Sequence, residues 1–375
     1  MMKDFFRKLH LWVSIPFGLV ITVTCFTGAL LVFEDDVTCL YYSDIAKVEP
    51  QGEPLPLAQL MERVEKAFPG EVEITGVTMF DAPEKAYKVS VSKPHRATYY
   101  VDQYTGSVGG VHERLPFFRT TLRLHRWLLD RNPGNGKVFW GKMIVGASTV
   151  SFVVILITGL VVWLPKNRKM LRNRLRIVFS KGGNRFLYDL HVAGGFYVLL
   201  VLLAMALTGL TWSYRWYSDA FYAVFAKGNG KNGVSAVSGA TTLSGGWNKE
   251  AEQNETAGKY YPWQQAAAAV VAEKPDYEKL VLSKETVSVY GGTWGNQRAC
   301  DKYEFDPVDG NLKSVQRYKD NAGRSKVRGW VYSVHVGSWG GLLSRVLAFL
   351  SALVGATLPL TGYYFWIRRL YKKRR

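Results

Sequence analysis

Four long apolar stretches without a charged side chain recur along the chain, and polar segments separate them. They span Leu9–Phe33, Met143–Leu164, Leu190–Tyr214 and Val346–Ile367. Each reaches or exceeds the roughly 20 residues that a helix needs to cross the hydrocarbon of a bilayer. The pattern predicts an α-helical membrane protein built on a four-helix transmembrane bundle, with the lipid bilayer as a partner.

The two longest polar segments repeat one pattern of elements. Each contains a stretch of helical periodicity, Leu55–Phe68 in the first and Trp263–Glu273 in the second. Runs in which apolar and polar residues alternate follow each helix, as is typical of strands. These runs are Glu71–Met79, Ala86–Ser92, Ala97–Val101, Leu280–Tyr290, Lys302–Phe305 and Lys313–Tyr318. We therefore expect two α+β modules in a duplicated chain, in which each half consists of a span, a module and a span.

These patterns divide the chain into eight segments. In order they are transmembrane helix 1 at 9–33, a first module at 34–137 with an amphipathic helix at 115–130, transmembrane helix 2 at 138–164, a basic loop at 165–187, transmembrane helix 3 at 188–214, a second module at 215–341, transmembrane helix 4 at 342–367 and a basic tail at 368–375. Within the second module, Ala226–Thr256 is rich in Gly, Ser, Asn and Lys, which predicts a mobile loop.

The chain carries a formal net charge of +18, and most of it lies beside the ends of the spans. Lys and Arg precede the first span, fill the loop at 165–187 and follow the fourth span. If the chain crosses the bilayer four times, these clusters share one face, which is the positive-inside pattern of a cytoplasmic side. We expect both termini in the cytoplasm and both modules outside. The same placement argues against a nucleic-acid partner.

Four histidines near the span ends are each followed by a Thr-Gly pair. The interval is seventeen residues in the first and third spans, and longer in the other two. The four sets are His10 with Thr27-Gly28, His125 with Thr158-Gly159, His191 with Thr208-Gly209, and His335 with Thr361-Gly362.

Topology sorts these histidines into two pairs by depth. His10 and His191 open the first and third spans at the cytoplasmic leaflet, whereas His125 and His335 precede the second and fourth spans at the exterior leaflet. Seventeen residues of helix rise about 25 Å, so each Thr-Gly pair lies level with the histidines of the opposite leaflet. A glycine there lets a bulky planar group approach the helix backbone. Each site then combines two histidines with two glycines: Gly28 and Gly209 at the exterior site, Gly159 and Gly362 at the cytoplasmic site.

Two facing histidines inside a helical bundle are the axial ligand set of a six-coordinate b-type haem. The sequence has no Cys-x-x-Cys-His motif for covalent attachment, and no Cys, Asp or Glu lies near enough to complete a zinc site. We predict two b-type haems, with the four histidines as axial ligands of the iron. The alternatives are an interfacial role for each histidine and a packing role for each glycine. His95 and His112 are expected on the surface.

Other residues are candidates for contacts with such a group or with a substrate. Cations near the span ends that could pair with haem propionates are Lys8, Arg126, Arg185 and Arg345. Exterior residues that could line a substrate face are Trp263, Tyr290, Trp294, Arg298, Arg328 and Trp330. Cys39 and Cys300 share the exterior side, which fits either a disulfide or two free thiols. No catalytic residue is assigned.

Several of these motifs resemble a known family. The segment Tyr99-Tyr100-Val101-Asp102-Gln103-Tyr104-Thr105-Gly106 looks like a PepSY domain. The segments that resemble PepSY-associated transmembrane proteins are Leu9-His10-Leu11-Trp12, Leu124-His125-Arg126-Trp127-Leu128, Gly159-Leu160-Val161-Val162-Trp163-Leu164-Pro165 and His335-Val336-Gly337. Val336 departs from the family pattern, which has Thr there. The resemblance covers nearly the whole chain. It implies a bacterial inner-membrane protein, related to di-haem reductases that release iron from ferric siderophores, with the four histidines as ligands.

The first hypothesis is an inner-membrane di-haem oxidoreductase that passes electrons across the membrane and reduces a periplasmic ferric chelate, such as a ferric siderophore. No strand–helix unit opened by Gly-x-Gly-x-x-Gly is predicted for a flavin or nicotinamide, so we expect a quinol or a separate protein as electron donor. The alternative is a haem-free PepSY-type binding or regulatory protein anchored in the membrane. A transporter is disfavoured, because no carboxylate or lysine lies within a span.

Overall fold

The computed structural model describes residues 2–68, 72–93, 96–134, 136–226, 235–236 and 258–373. In chain order the helices are α1 (Met2–Leu31), α2 (Glu34–Tyr41), α3 (Ser43–Ala46), α4 (Leu57–Ala67), α5 (Pro116–Trp127), α6 (Trp140–Trp163), α7 (Arg168–Arg174), α8 (Gly183–Asp189), α9 (Gly195–Ser213), α10 (Arg215–Phe225), α11 (Tyr261–Glu273), α12 (Gly323–Val336) and α13 (Gly341–Lys373). The strands are β1 (Glu73–Phe80), β2 (Tyr87–Lys93), β3 (Ala97–Val101), β4 (Val108–Val111), β5 (Ser235–Ala236), β6 (Lys279–Ser283), β7 (Thr286–Tyr290), β8 (Cys300–Phe305) and β9 (Leu312–Gln316). The predicted loop Ala226–Thr256 lies outside the described residues, apart from Ala226 and β5.

The four predicted spans form long apolar helices, which are α1, α6, the continuous helix α8–α9 and α13. Helix α1 packs against α6 and α13, and α9 packs against the same two helices, so α1 and α9 stand diagonally across a bundle. Ile21, Phe152 and Leu202 lie in the buried core of this bundle. Leu19 and Leu200 are 63% and 74% exposed on its outside. A helix that is apolar on its inner and outer faces suits a lipid surrounding.

The two ends of the bundle differ. At one end lie α7 and the Lys- and Arg-rich end of α13, and we call this the basic end. At the other end α1 leads into α2, and α5 and α12 precede the spans α6 and α13; we call this the sheet end, because the strands lie beyond it in the chain. Helices α1 and α9 run from the basic end to the sheet end, and α6 and α13 run back.

The strands join in one antiparallel sheet with the order β4-β3-β2-β1-β6-β7-β8-β9-β5. Strand β1 of the first module pairs with β6 of the second, and Val77 stands opposite Leu282. Helices α4 and α11 pack on each other over one face, where Leu60, Met61 and Val270 are fully buried. The two predicted α+β modules are therefore halves of a single sheet with one shared core.

The prediction of one strand over Leu280–Tyr290 was wrong, because this segment is a hairpin. Strands β6 and β7 pair with each other around a turn at Lys284-Glu285. The buried positions are Leu280 and Leu282 before the turn, and Val287 and Val289 after it. They change from even to odd numbers, whereas one continuous strand keeps a period of two. A two-residue turn accounts for this change.

Helix α5, predicted at 115–130, ends sooner, at Trp127, and is fixed to the start of α6. Leu128 and Leu129 follow it with φ angles of 50° and 67°, which turn the chain sharply. The side chain of Asp130 then accepts a hydrogen bond from the backbone N–H of Gly141, at 2.8 Å. A Cβ on Gly141 would lie 1.9 Å from the carbonyl oxygen of Trp127, so only glycine allows this approach. The junction holds the last turn of α5 against the bundle.

Candidate functional site

The structure brings the four histidines together in the two pairs that the sequence predicts. The rings of His10 and His191 have centroids 6.4 Å apart at the basic end. Those of His125 and His335 are 6.2 Å apart at the sheet end. Each pair bridges the bundle, because α1 and α9 stand diagonally, and α5 and α12 pack on α1 and α9.

A backbone carbonyl orients each histidine ring. The acceptor always belongs to the residue four positions before the glycine of a Thr-Gly pair, on a neighbouring helix. The Nδ1 of His10 lies 3.0 Å from the oxygen of Ile155, that of His125 lies 2.9 Å from the oxygen of Thr24, that of His335 lies 2.9 Å from the oxygen of Met205, and His191 makes the same bond to Leu358. Because Nδ1 donates its proton to the carbonyl, Nε2 keeps a lone pair for a metal.

The threonine of each Thr-Gly pair lies beside the same bond. Its hydroxyl donates to the carbonyl one helical turn earlier, as from Thr27 to Val23 at 2.7 Å and from Thr208 to Ala204 at 2.6 Å. The hydroxyl oxygen also lies close to Nδ1, at 2.8 Å between Thr361 and His191. Such back-bonding at a buried threonine keeps the hydroxyl satisfied while it sits against the imidazole.

The glycines make room for the edges of the histidine rings. A Cβ added to Gly28 would lie 3.0 Å from Cε1 of His125, and the corresponding distances are 3.2 Å between Gly159 and His10, 2.9 Å between Gly209 and His335, and 3.7 Å between Gly362 and His191. The sequence predicts that these glycines let a planar group approach the helix backbone. The structure adds that each one touches a histidine ring.

The spacing of each pair suits a shared ion. Imidazole nitrogens bind metals at about 2.0–2.1 Å, and a nitrogen lies about 1 Å from its ring centre, so two rings on opposite sides of one ion have centroids roughly 6 Å apart. Among the described residues, the Nε2 atoms of the four histidines have no hydrogen-bond partner. No group of three or more His, Cys, Asp or Glu side chains comes together there either. The donor sets are therefore two pairs of histidines.

A cavity of about 570 Å³ surrounds the sheet-end pair. His125, His335, Gly28 and Gly209 all line it. The buried hydroxyl of Ser148 lines it as well and has no hydrogen-bond partner in the described residues. The size and lining of this cavity, with two histidines, two glycines and an unsatisfied hydroxyl, are compatible with a large planar group such as a haem.

Five cations and two carboxylates also line this cavity. The cations are Arg114, Lys142, Arg126, Arg298 and Arg345, and the carboxylates are Glu34 and Asp35. Arg114 forms an ion pair with Glu34, and Arg345 forms one with Asp36 just outside the cavity. The hydrogen bond from Arg345 holds the pKa of Asp36 below its usual value. Burial, and then the charge of Arg114, lower the pKa of the Arg126 guanidinium.

The basic-end pair has different neighbours. The ring of Trp163, four residues after Gly159, stacks on Phe196 with centroids 3.7 Å apart. Arg185, a predicted propionate partner, instead pairs with the buried Asp189 at 2.9 Å. A π-helical turn at Leu190–Gly194 contains His191. Such a turn interrupts the regular α-helix at the position of the histidine, and π-helical turns are frequent at functional sites.

The other predicted residues divide between structural and exposed positions. Trp263 is buried in the core beneath the sheet, so it cannot face a substrate. Trp294 is 74% exposed and packs edge-to-face against Trp330. His95 lies outside the described residues. His112, expected on the surface, is half-buried there, and its Nδ1 lies 2.9 Å from the hydroxyl of Tyr100.

Burial, and then the charge of Lys88, lower the pKa of His112. The three cysteines are free, with Cys39 exposed, so the structure contains no Cys39–Cys300 disulfide.

Some lining residues were not singled out by the sequence. Tyr332 lies one turn before His335 on α12, and that spacing could have placed both on one face. Lys142 and Gln297 offered no comparable signal, because the contacts that bring them to the cavity are between distant parts of the chain.

Two comparisons bear on this arrangement. A family model described as the PepSY-associated TM region matches residues 7–369, and so covers both histidine pairs and the sheet. No curated protein matches the chain.

Proposed function

The chain belongs to the PepSY-associated transmembrane family and is a multi-pass membrane protein, and we propose that it is a di-haem oxidoreductase of the bacterial inner membrane. It passes electrons across the membrane to a ferric chelate, a ferric siderophore first of all, and releases the iron. The observation that carries the proposal is an arrangement that occurs four times, in which a histidine lies against a backbone carbonyl and a glycine of another helix. The four histidines form two pairs, whose ring centroids are 6.2 Å and 6.4 Å apart.

The proposed roles of the histidines follow from their contacts. His10 and His191 hold one b-type haem at the basic end, and His125 and His335 hold the other at the sheet end. A haem held in this way supplies one-electron transfer between ferric and ferrous iron. The carbonyls of Ile155, Thr24, Met205 and Leu358 fix the tautomer and the orientation of the four rings.

The rest of the chain contributes placement and exclusion of water. Ile21, Phe152 and Leu202 belong to the buried apolar core of the bundle and line the sheet-end cavity, so they keep this part of the bundle apolar. The positive-inside pattern of the basic segments supports a cytoplasmic basic end with both termini, and with it a periplasmic sheet. A substrate would then approach the sheet-end cavity from the side of the sheet.

The proposed substrate is a ferric chelate because one electron changes how firmly such a complex holds its iron. Hard anionic oxygen ligands bind Fe(III) far better than Fe(II), so reduction loosens the complex. The donor is a quinol or a separate protein. A quinol gives up two electrons and two protons and so reduces two ferric chelates.

The test is the visible spectrum of protein purified from haem-replete cells. We expect a Soret band and two b-type haems for each chain. His191→Ala and His335→Ala should each lose one haem and retain the other, because the histidines are paired by depth. His112→Ala is the matched control and should keep both, since His112 belongs to the Tyr100 contact.

A wild-type protein without a Soret band would overturn the proposal and leave the haem-free binding or regulatory protein. If either variant lost both haems while the fold was retained, the assignment of one pair to each haem would be wrong.

A further inference from the structure

The cations around the sheet-end cavity fall into two groups. Arg114 and Arg345 are already paired with Glu34 and Asp36. For Arg126, Arg298 and Lys142, no carboxylate of the described residues lies within ion-pair distance. The charge of the second group is therefore available to a ligand.

The two unpaired arginines are held by aromatic rings on either side of the histidine pair. Arg126 follows His125 on α5, and its guanidinium lies 4.8 Å from the ring centre of Trp127. Arg298 comes from the loop between β7 and β8 and lies 3.9 Å over the ring of Tyr332, one turn before His335. Stacking on a ring fixes the plane of a guanidinium and leaves its N–H groups free to donate.

The lining of the cavity carries an excess of positive charge, because five cations face two carboxylates, Glu34 and Asp35. Arg126 is close enough to Arg114 to be affected by its charge, and Lys142 lines the same cavity from the first turn of α6. Like charges held near a partly desolvated cavity repel one another, and a bound anion removes the repulsion. Carboxylates match a guanidinium best, since both are planar and form two parallel hydrogen bonds.

We propose that Arg126, Arg298 and Lys142, which line the sheet-end cavity, form a carboxylate-binding subsite there. The carboxylates belong either to the propionates of a haem between His125 and His335 or to an anionic ferric chelate that docks there. The first source rests on the proposed function, whereas the second does not require a haem. Arg114 and Arg345 serve the structure through their ion pairs.

The test compares Arg126→Gln and Arg298→Gln with Arg119→Gln, a control that removes the same charge from an exposed position of α5 outside the cavity. Arg126→Lys keeps the charge but loses the planar donor pair. Three quantities are measured: the midpoint potential of each haem, the rate of haem transfer to apomyoglobin, and the affinity for ferric citrate by calorimetry. A neutral ferric trihydroxamate is the uncharged probe.

If haem propionates occupy the subsite, both Gln variants lower the midpoint potential of one haem and release it about tenfold faster, because a charge-assisted hydrogen bond is lost. Reconstitution with haem dimethyl ester then abolishes the difference between variants and wild type. If a chelate occupies it, haem release is unchanged, but the affinity for ferric citrate falls about tenfold and that for the trihydroxamate does not. In either case Arg126→Lys lies between wild type and Arg126→Gln.

The inference is overturned if Arg126→Gln and Arg298→Gln match Arg119→Gln in all three measurements. A wild-type protein without haem refutes the proposed function instead, and ferric citrate binding still decides whether the subsite exists.

Discussion

At the scale of single residues, the histidine sites depend on how closely a ring approaches a helix backbone. The space at the four glycines is graded. A Cβ would be 2.9 Å from His335 at Gly209, but 3.7 Å from His191 at Gly362, which is an ordinary van der Waals distance. Both glycines have helical backbone angles, so an alanine introduces no backbone strain. The four glycine positions therefore share one arrangement but differ in their tolerance for an added methyl group.

Gly209→Ala should therefore displace the ring of His335, whereas Gly362→Ala should leave His191 in place. The methyl group pushes against Cε1 while the Met205 carbonyl holds Nδ1, so the ring cannot turn aside without losing its hydrogen bond. We expect an affinity of the sheet-end site for haem lower by about tenfold, as for other changes to groups that orient a metal ligand. Haem titration of the two variants measures this. Equal losses for both variants would contradict the geometric argument.

At the scale of elements, the junction of β1 with β6 makes two modules into one sheet. Gly76 lies on β1 at this junction, opposite Ser283, and next to an irregular register with β2. A Cβ on Gly76 would be 2.6 Å from the carbonyl oxygen of Leu282. Backbone cannot move aside as a flexible side chain can. The close pairing of the two halves therefore requires glycine at this position.

Gly76→Ala should loosen the junction and lower the stability of the sheet by about 1–3 kcal/mol, as expected for overpacking. Gly109→Ala on β4 is the control, because its Cβ would meet Ile45 at an ordinary 3.5 Å. Thermal unfolding of both variants in detergent gives the comparison. The junction would not depend on close packing if Gly76→Ala unfolded at the wild-type temperature.

At the scale of the whole molecule, the two ends of the bundle differ in charge, and this difference predicts the orientation of the protein in the membrane. The basic end carries α7 and the Arg- and Lys-rich end of α13, and the sheet end carries the cavity with its five lining cations. On the positive-inside argument, α2 lies on the outer side of the membrane. Cys39 on α2 is exposed, whereas Cys25 within a span and Cys300 on β8 are both half-buried.

A membrane-impermeant maleimide should therefore label Cys39 in intact spheroplasts, because the proposed orientation puts this exposed thiol on the periplasmic side. Gel shift or mass spectrometry detects the product, and Cys39→Ser should remove most of the labelling. Labelling that requires lysis of the spheroplasts would place the sheet end in the cytoplasm and reverse the proposed direction of electron flow.

The sequence by itself determined the spans, the basic segments and the histidine with Thr-Gly intervals, because these are local patterns. A span is recognisable because about twenty successive residues must be apolar to lie in the hydrocarbon of a bilayer. The depth of His10 or His191 then follows from the rise per residue of a helix. Most strands and both module helices could be predicted for the same reason. The prediction failed at Leu280–Tyr290, where a two-residue turn lies inside what looks like a single alternating run.

Only the tertiary structure decided what touches the histidines. The carbonyl of Thr24 meets His125 across about a hundred positions of sequence, and the loop with Arg298 reaches the same cavity from the other half of the chain. The joining of β1 with β6 is equally remote. Such contacts depend on how separate elements pack, and no periodicity within one segment records them. The local pattern therefore placed the histidines by depth, and the packing of helices and strands gave them their orientation, their cavity and their surrounding charges.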